Sequence, residues 1–215
     1  MESVKPIIIL DPIEIRVAGS LMEKSKTTQE YYPMTLNALM LACNQKASRK
    51  PIVQYDESTV MSAINSLTKK GLVSTATGAG NRVIKYKHNF ALVYPFNPAD
   101  LAVLCLLFLR GPLTPGEINS NSGRLHTFES LAEVLQVVEK LKQGDVPFIA
   151  QLPKQPGQKE QRFRHLFCET LPLDLDEVAT SENPMSKLES RLETVEKELG
   201  ELKSSVEKLM KELMG

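Results

Sequence analysis

Tryptophan is absent from the 215 residues, aromatics make up 6%, and cysteine occurs three times, at Cys43, Cys105 and Cys168. Three cysteines with no CxxC pair argue against a disulfide scaffold or a zinc ribbon, and suit buried thiols in a reducing compartment. Histidine is scarce too. His88, His126 and His165 stand apart, and His165 with Cys168 lacks the third and fourth ligands that zinc needs. The longest apolar run, Leu101–Leu109, has nine residues, whereas a membrane helix needs about 20. Pro6–Leu10 is too short for the apolar core of a secretory signal and leads straight into Asp11. A cytoplasmic protein without membrane contact is expected. Thr77–Asn81 (TGAGN) lacks the GK[ST] ending of a phosphate loop and is read as a tight turn. No Ser/His/Asp or Cys/His set assembles, so neither enzyme activity nor a cofactor or metal is expected.

Net charge is zero as well, with 26 basic and 26 acidic residues, but the two signs are not mixed evenly. Residues 1–95 carry 12 Lys and Arg against 7 Asp and Glu, residues 96–172 carry 8 against 8, and residues 173–215 carry 6 against 11. A basic front and an acidic tail imply different tasks.

Helix signals recur in one grammar. Asp11-Pro12-Ile13-Glu14 reads as an N-cap, a first-turn proline and a capping-box acid, followed by Ile13, Val17, Leu21 and Met22 on one face. A second helix carries Leu36, Leu39, Met40 and Cys43, and Asn44–Pro51 is a loop. Asp56 or Ser58 caps a third helix with Val60, Ile64 and Leu67, stopped by Gly71. Strands are expected at about Leu72–Thr75 and Arg82–Lys87, joined by the glycine-rich turn. The plan then repeats. Asn97-Pro98 caps a helix through Ala99–Arg110, Thr114-Pro115-Gly116-Glu117 opens another, and Thr127 starts a third that ends at Gly144. Strands at about Pro147–Leu152 and Gln161–Phe167 flank a second turn. Helix-helix-helix-hairpin, twice, is a pair of winged helices. The expected fold is α+β, mainly α: two tandem winged-helix (helix-turn-helix) domains at 1–95 and 96–168, an acidic linker at 169–183, and a coiled-coil helix at 184–215.

In the last segment apolar residues alternate in steps of three and four. Met185, Leu192, Leu199, Val206 and Leu213 fall at a, and Leu188, Val195, Leu202 and Leu209 at d. Arg191 would face Glu196, and Glu198 would face Lys203, across a parallel pair. A parallel homodimer is therefore expected, with a trimer left open by the leucine-rich a positions.

Basic residues sit where a winged helix meets nucleic acid. Arg49 and Lys50 precede the third helix, Lys69 and Lys70 end it, and Asn81, Arg82, Lys85 and Lys87 line the wing. Alternation sets Lys85 and Lys87 on one strand face with Val83, and Ile84 and Tyr86 on the other. Ser58, Ser62 and Asn65 lie on the outward side of the third helix. These short polar groups suit phosphates, while no arginine there is placed for bidentate guanine readout. The second wing offers Lys154, Lys159, Arg162 and Arg164, a surface that Arg124 and His126 could join.

The segments IEIRVAGSLMEKSKTT (13–28), YYPMTLNALMLACNQKASRKP (31–51), LTKKGLV (67–73), GAGNRVIKY (78–86), LFLRGPLTPGEI (107–118) and LPKQPGQKEQRFRHLF (152–167) resemble the YceH-like family, bacterial tandem winged-helix proteins of unassigned function. The resemblance covers about residues 11–168 and implies the fold. The chain departs from the family where arginines typically follow the PGE element, since Ile118–Ser122 stands there instead. Two functional expectations follow. One is a dimeric protein that binds double-stranded DNA, regulatory or architectural, through the first domain's third helix and wing. The other is an interaction scaffold whose winged helices bind a protein partner.

Overall fold

The computed structural model describes residues 6–76, 83–144, 146–154 and 160–168, all within one compact unit spanning 1–171. The expected coiled coil, with Leu188, Leu192, Val195, Leu199, Leu202, Val206, Leu209 and Leu213, lies outside the described residues, as does the 169–183 linker.

The chain is α+β and mainly helical, with seven α-helices and two small sheets among the described residues. Helix α1 (Pro12–Thr27) begins with a complete capping box: the Asp11 carboxylate accepts from Ile13 N and Glu14 N, both at 2.8 Å, and Glu14 accepts from Asp11 N at 2.8 Å. These bonds satisfy amides that the first helical turn would otherwise leave open. A 3₁₀ turn (Gln29–Tyr31) leads to a two-residue strand, β1 (Met34–Thr35), and to α2 (Leu36–Cys43), which Thr35 caps. Asp56 caps α3 (Glu57–Lys69), and Gly71 at φ +75° turns the chain out of the helix. That left-handed conformation favours glycine.

Strands β2 (Val73–Ala76) and β3 (Lys85–His88) form an antiparallel pair in the order β1-β3-β2, with Thr75 opposite Tyr86. They begin one and three residues later than the sequence pattern suggests. Because β3 starts at Lys85, Ile84 lies ahead of the pleat and is exposed beside Val83, rather than sharing Tyr86's buried face.

A short helix, α4 (Phe90–Val93), leads into α5 (Pro98–Arg110), buried along nearly its whole length. Helix α6 (Pro115–Ser122) repeats the capping box through Thr114 and Glu117. Helix α7 (Leu131–Gln143) starts at the Ser130 cap, three residues past Thr127. Strands β4 (Ile149–Gln151) and β5 (Phe163–His165) pair antiparallel.

Buried side chains from both sequence halves form one apolar cluster. Its seam is α1 against α5, where a Cβ on Gly19 would come within 3.0 Å of the Phe108 Cβ and 2.9 Å of Leu109. Glycine lets the two helix backbones approach closely. The few aromatics concentrate nearby: Phe90, Tyr94, Phe108, Phe148 and Phe167 meet mostly edge to face. The segment before α1 joins this cluster through Leu10 N, which donates to Phe167 O at 2.7 Å.

Candidate nucleic-acid interface

Helix α3 is amphipathic: Val60, Ala63, Ile64 and Leu67 are buried, while Ser58, Ser62, Asn65 and Lys69 are exposed. Its outer side borders a shallow groove of about 490 Å³, shared by Ser58, Thr59, Ser62 and Ser66 with Asp11 and Ile13 at the start of α1. Asp56 accepts from Thr59 and Ser58, and those bonds hold its carboxyl below the usual range. Lys87 on β3 is exposed and Lys85 is half-buried. The surface is thus a row of hydroxyls and an amide with lysines at the helix end and on the adjoining strand. Such groups donate to phosphate oxygens without selecting a base.

Three cations expected on nucleic-acid surfaces have structural partners instead. Arg49 is buried, and its guanidinium forks onto Glu23 at 2.6 Å and 3.0 Å. It also donates to Ala42 O from Nε at 3.2 Å and Nη2 at 3.0 Å. Burial pushes the Glu23 carboxyl up, but Arg49 and Lys24 outweigh burial and hold it below its ordinary value. Arg49 therefore clips the 44–51 loop to α1. Lys70 folds onto the buried Glu14 carboxylate at 2.6 Å and 2.7 Å and onto Ile9 O at 3.1 Å. Burial raises the Glu14 carboxyl, and the bonds from Lys70, Ser66 and Asp11 more than reverse that. In the second half, Arg162 grips Glu117 at 2.9 Å and 3.0 Å and Pro112 O at 2.8 Å, bracing the α6 cap.

Lys50 is exposed, with its backbone N–H donating to Leu109 O at 2.8 Å. Lys154 is exposed and Arg164 half-buried. Asn81, Arg82 and Lys159 lie outside the described residues.

Cys43, Cys105 and His165 are buried, and His88 is half-buried. Burial pushes the Cys43 and Cys105 thiols up, which disfavours the reactive thiolate. His88 is pushed down to about 4 and His165 to about 3, both chiefly by burial. Among the described residues no three His, Cys, Asp or Glu side chains cluster as a metal site, and no helix is long and apolar enough to cross a membrane.

One grouping was not apparent from sequence order. Lys24, Lys46, Arg110 and Arg124, spread over a hundred residues, line a single cleft of about 750 Å³.

The molecule is thus an α+β, mainly helical protein that presents a polar helix face flanked by lysines. Residues 10–158 match the family model described as "Protein of unknown function, DUF480". The protein from Shewanella pealeana called "UPF0502 protein" is 42% identical over 212 residues, covering 94% of this chain and 98% of the relative. The "UPF0502 protein" of Opitutus terrae is 45% identical over 185 residues, covering 85% and 80%. The chain belongs to this DUF480/UPF0502 family, the YceH-like group whose motifs it carries. Neither relative's name states an enzymatic activity, a ligand or a partner.

Proposed function

We propose that the chain is a dimeric DNA-binding protein made of two winged helices, 1–95 and 96–168, fused along α1 and α5 and paired through a coiled coil at 184–215. The reading is carried by one observation. An exposed, hydroxyl-lined helix, α3, runs directly into an antiparallel hairpin with cations on both elements, Lys69 on the helix and Lys85 and Lys87 on the strand. The order of three helices followed by a hairpin, with a short strand β1 added to the sheet, suits this assignment. In it, α3 lies in a groove and the wing grips phosphates. Arg82 is assigned to the wing by its place in the sequence, whereas Arg49, Lys70 and Arg162 hold the fold together.

The test is duplex affinity of the full chain with and without Lys69→Ala plus Lys87→Ala. Both side chains are exposed, so the variant should fold normally and bind at least tenfold more weakly, given net contributions of about 1.5 kcal/mol or more per charged hydrogen bond. Unchanged affinity would remove α3 and the wing from the interface. Loss of 184–215 should halve the mass measured by light scattering.

A second reading, a scaffold that binds protein, is favoured by Leu131 and Leu135. They lie one turn apart on α7 and are 45% and 47% exposed. Capture of a stoichiometric protein partner, together with no duplex affinity at low salt, would select it.

A further inference from the structure

We propose that the cleft between α1, the 44–51 loop and the α5–α6 corner binds a phosphate-bearing small molecule of nucleotide size. The cleft holds about 750 Å³, within the range of small-molecule sites and larger than a bare anion requires. Lys24, Lys46, Arg110 and Arg124 line it, against one carboxylate, Glu23. That carboxylate is already neutralised from behind by buried Arg49 at 2.6 Å. Four cations therefore line the cleft against a single carboxylate that Arg49 already neutralises, and the lining keeps a net positive charge. An excess of positive charge lining a cleft draws an anion into it.

The cations differ in what already holds them. Arg110 is braced, donating to Ser48 Oγ at 2.8 Å, and Lys24 reaches Gln45 Oε1 and Glu23 Oε2, both at 3.3 Å. Lys46 and Arg124 are exposed and have no ion-pair partner among the described residues. Ser48, which orients Arg110, sits at φ +61°, a conformation that L side chains rarely adopt. Arg49 holds it there by donating to Ser48 O at 3.0 Å. Strained backbone of this kind persists where its surroundings fix it. Arginines suit phosphate because a planar fork meets two oxygens at once. Leu106 and Leu125 supply an apolar part of the lining, giving a carbon skeleton or a flat ring something to cover. The cleft's volume, larger than one phosphate requires, favours a ligand that carries more than the phosphate itself.

This site is separate from the α3 surface, so its test does not depend on DNA binding. The probe is ADP without metal, titrated calorimetrically into the full chain, with a short mixed-sequence duplex titrated in parallel. ADP should bind saturably. Lys46→Ala plus Arg124→Ala, at two exposed positions, should weaken it by roughly tenfold or more while leaving the melting temperature of the free protein unchanged. Lys69→Ala plus Lys87→Ala should leave ADP affinity as it is. Absence of ADP binding at millimolar concentration would overturn the proposal, and so would equal ADP affinity in the cleft variant. If the cleft variant lost duplex affinity alone, the phosphate recognised there would belong to a nucleic acid and the small-ligand site would be refuted.

Discussion

Arg49 shows how a residue's role depends on a partner that sequence order hides. Beside Lys50 and ahead of α3, it reads as a surface cation, yet it pairs with Glu23, 26 positions away. Lys70 and Arg162 find Glu14 and Glu117 at separations of 56 and 45. No local pattern announces those pairs, because the folded core brings them together. The exposed members of the set, Ser58, Ser62, Asn65, Lys69 and Lys87, are legible because helical and strand periodicity alone places them outward. Removing the Arg49 guanidinium would leave the Glu23 carboxylate only Lys24, at 3.3 Å, and would also unpair Ala42 O; Arg49→Met should lower unfolding free energy by about 3 kcal/mol. Denaturant unfolding measures this, and a loss under 1 kcal/mol would mean the clip is dispensable. Acid sensitivity is also set at single residues. His88 and His165 titrate near 4 and 3 when folded, against 6.5 when unfolded. The unfolded chain takes up protons first as pH falls below 6.5. The stability these histidines provide is therefore complete above that value and declines from there to their folded values, at up to ~1.4 kcal/mol per pH unit for each histidine. Neither ring nitrogen of His165 has a partner among the described residues. His165→Leu should therefore flatten the loss between pH 6.5 and 4 by about one proton's worth in pH-dependent denaturation. An unaltered slope would assign that acid sensitivity to other groups.

At the scale of elements, the capping grammar Asp11-Pro12, Asn97-Pro98 and Thr114-Pro115 placed three helix starts, since a side-chain oxygen and a first-turn proline act locally. Boundaries set by tertiary contact were not legible. Strand β1 is two residues long and exists by pairing with β3, and α4 is a single turn behind Asn89. Helix α7 is capped by Ser130 rather than Thr127, since the Ser130 hydroxyl accepts from Glu133 N at 3.3 Å. Helix α1 packs closely on α5, and Gly19 sits at the seam. A methyl there meets the Phe108 Cβ at 3.0 Å, an atom tied to backbone that a rotamer change cannot clear. Gly19→Ala should cost 1–3 kcal/mol, roughly the range for overpacking, and thermal unfolding reads it directly. A neutral result would mean the two helices part without penalty.

Across the whole molecule, charge is segregated while the total is zero, with the excess of cations in residues 1–95 and of acids in 173–215. The described residues refine that division: some cations hold the core, some line the cleft, and Lys69, Lys85 and Lys87 lie on α3 and β3. These last three, with Arg82, are the residues proposed to meet DNA phosphates. Displaced counterions make such binding weaken with salt in proportion to the phosphates neutralised. The most direct measurement is fluorescence anisotropy of the full chain on a mixed-sequence duplex across a range of salt concentrations. Micromolar or tighter binding is expected at low salt, with log K falling against log salt at a slope of roughly −4 per bound protomer. No binding at low salt, or binding indifferent to salt, would contradict it.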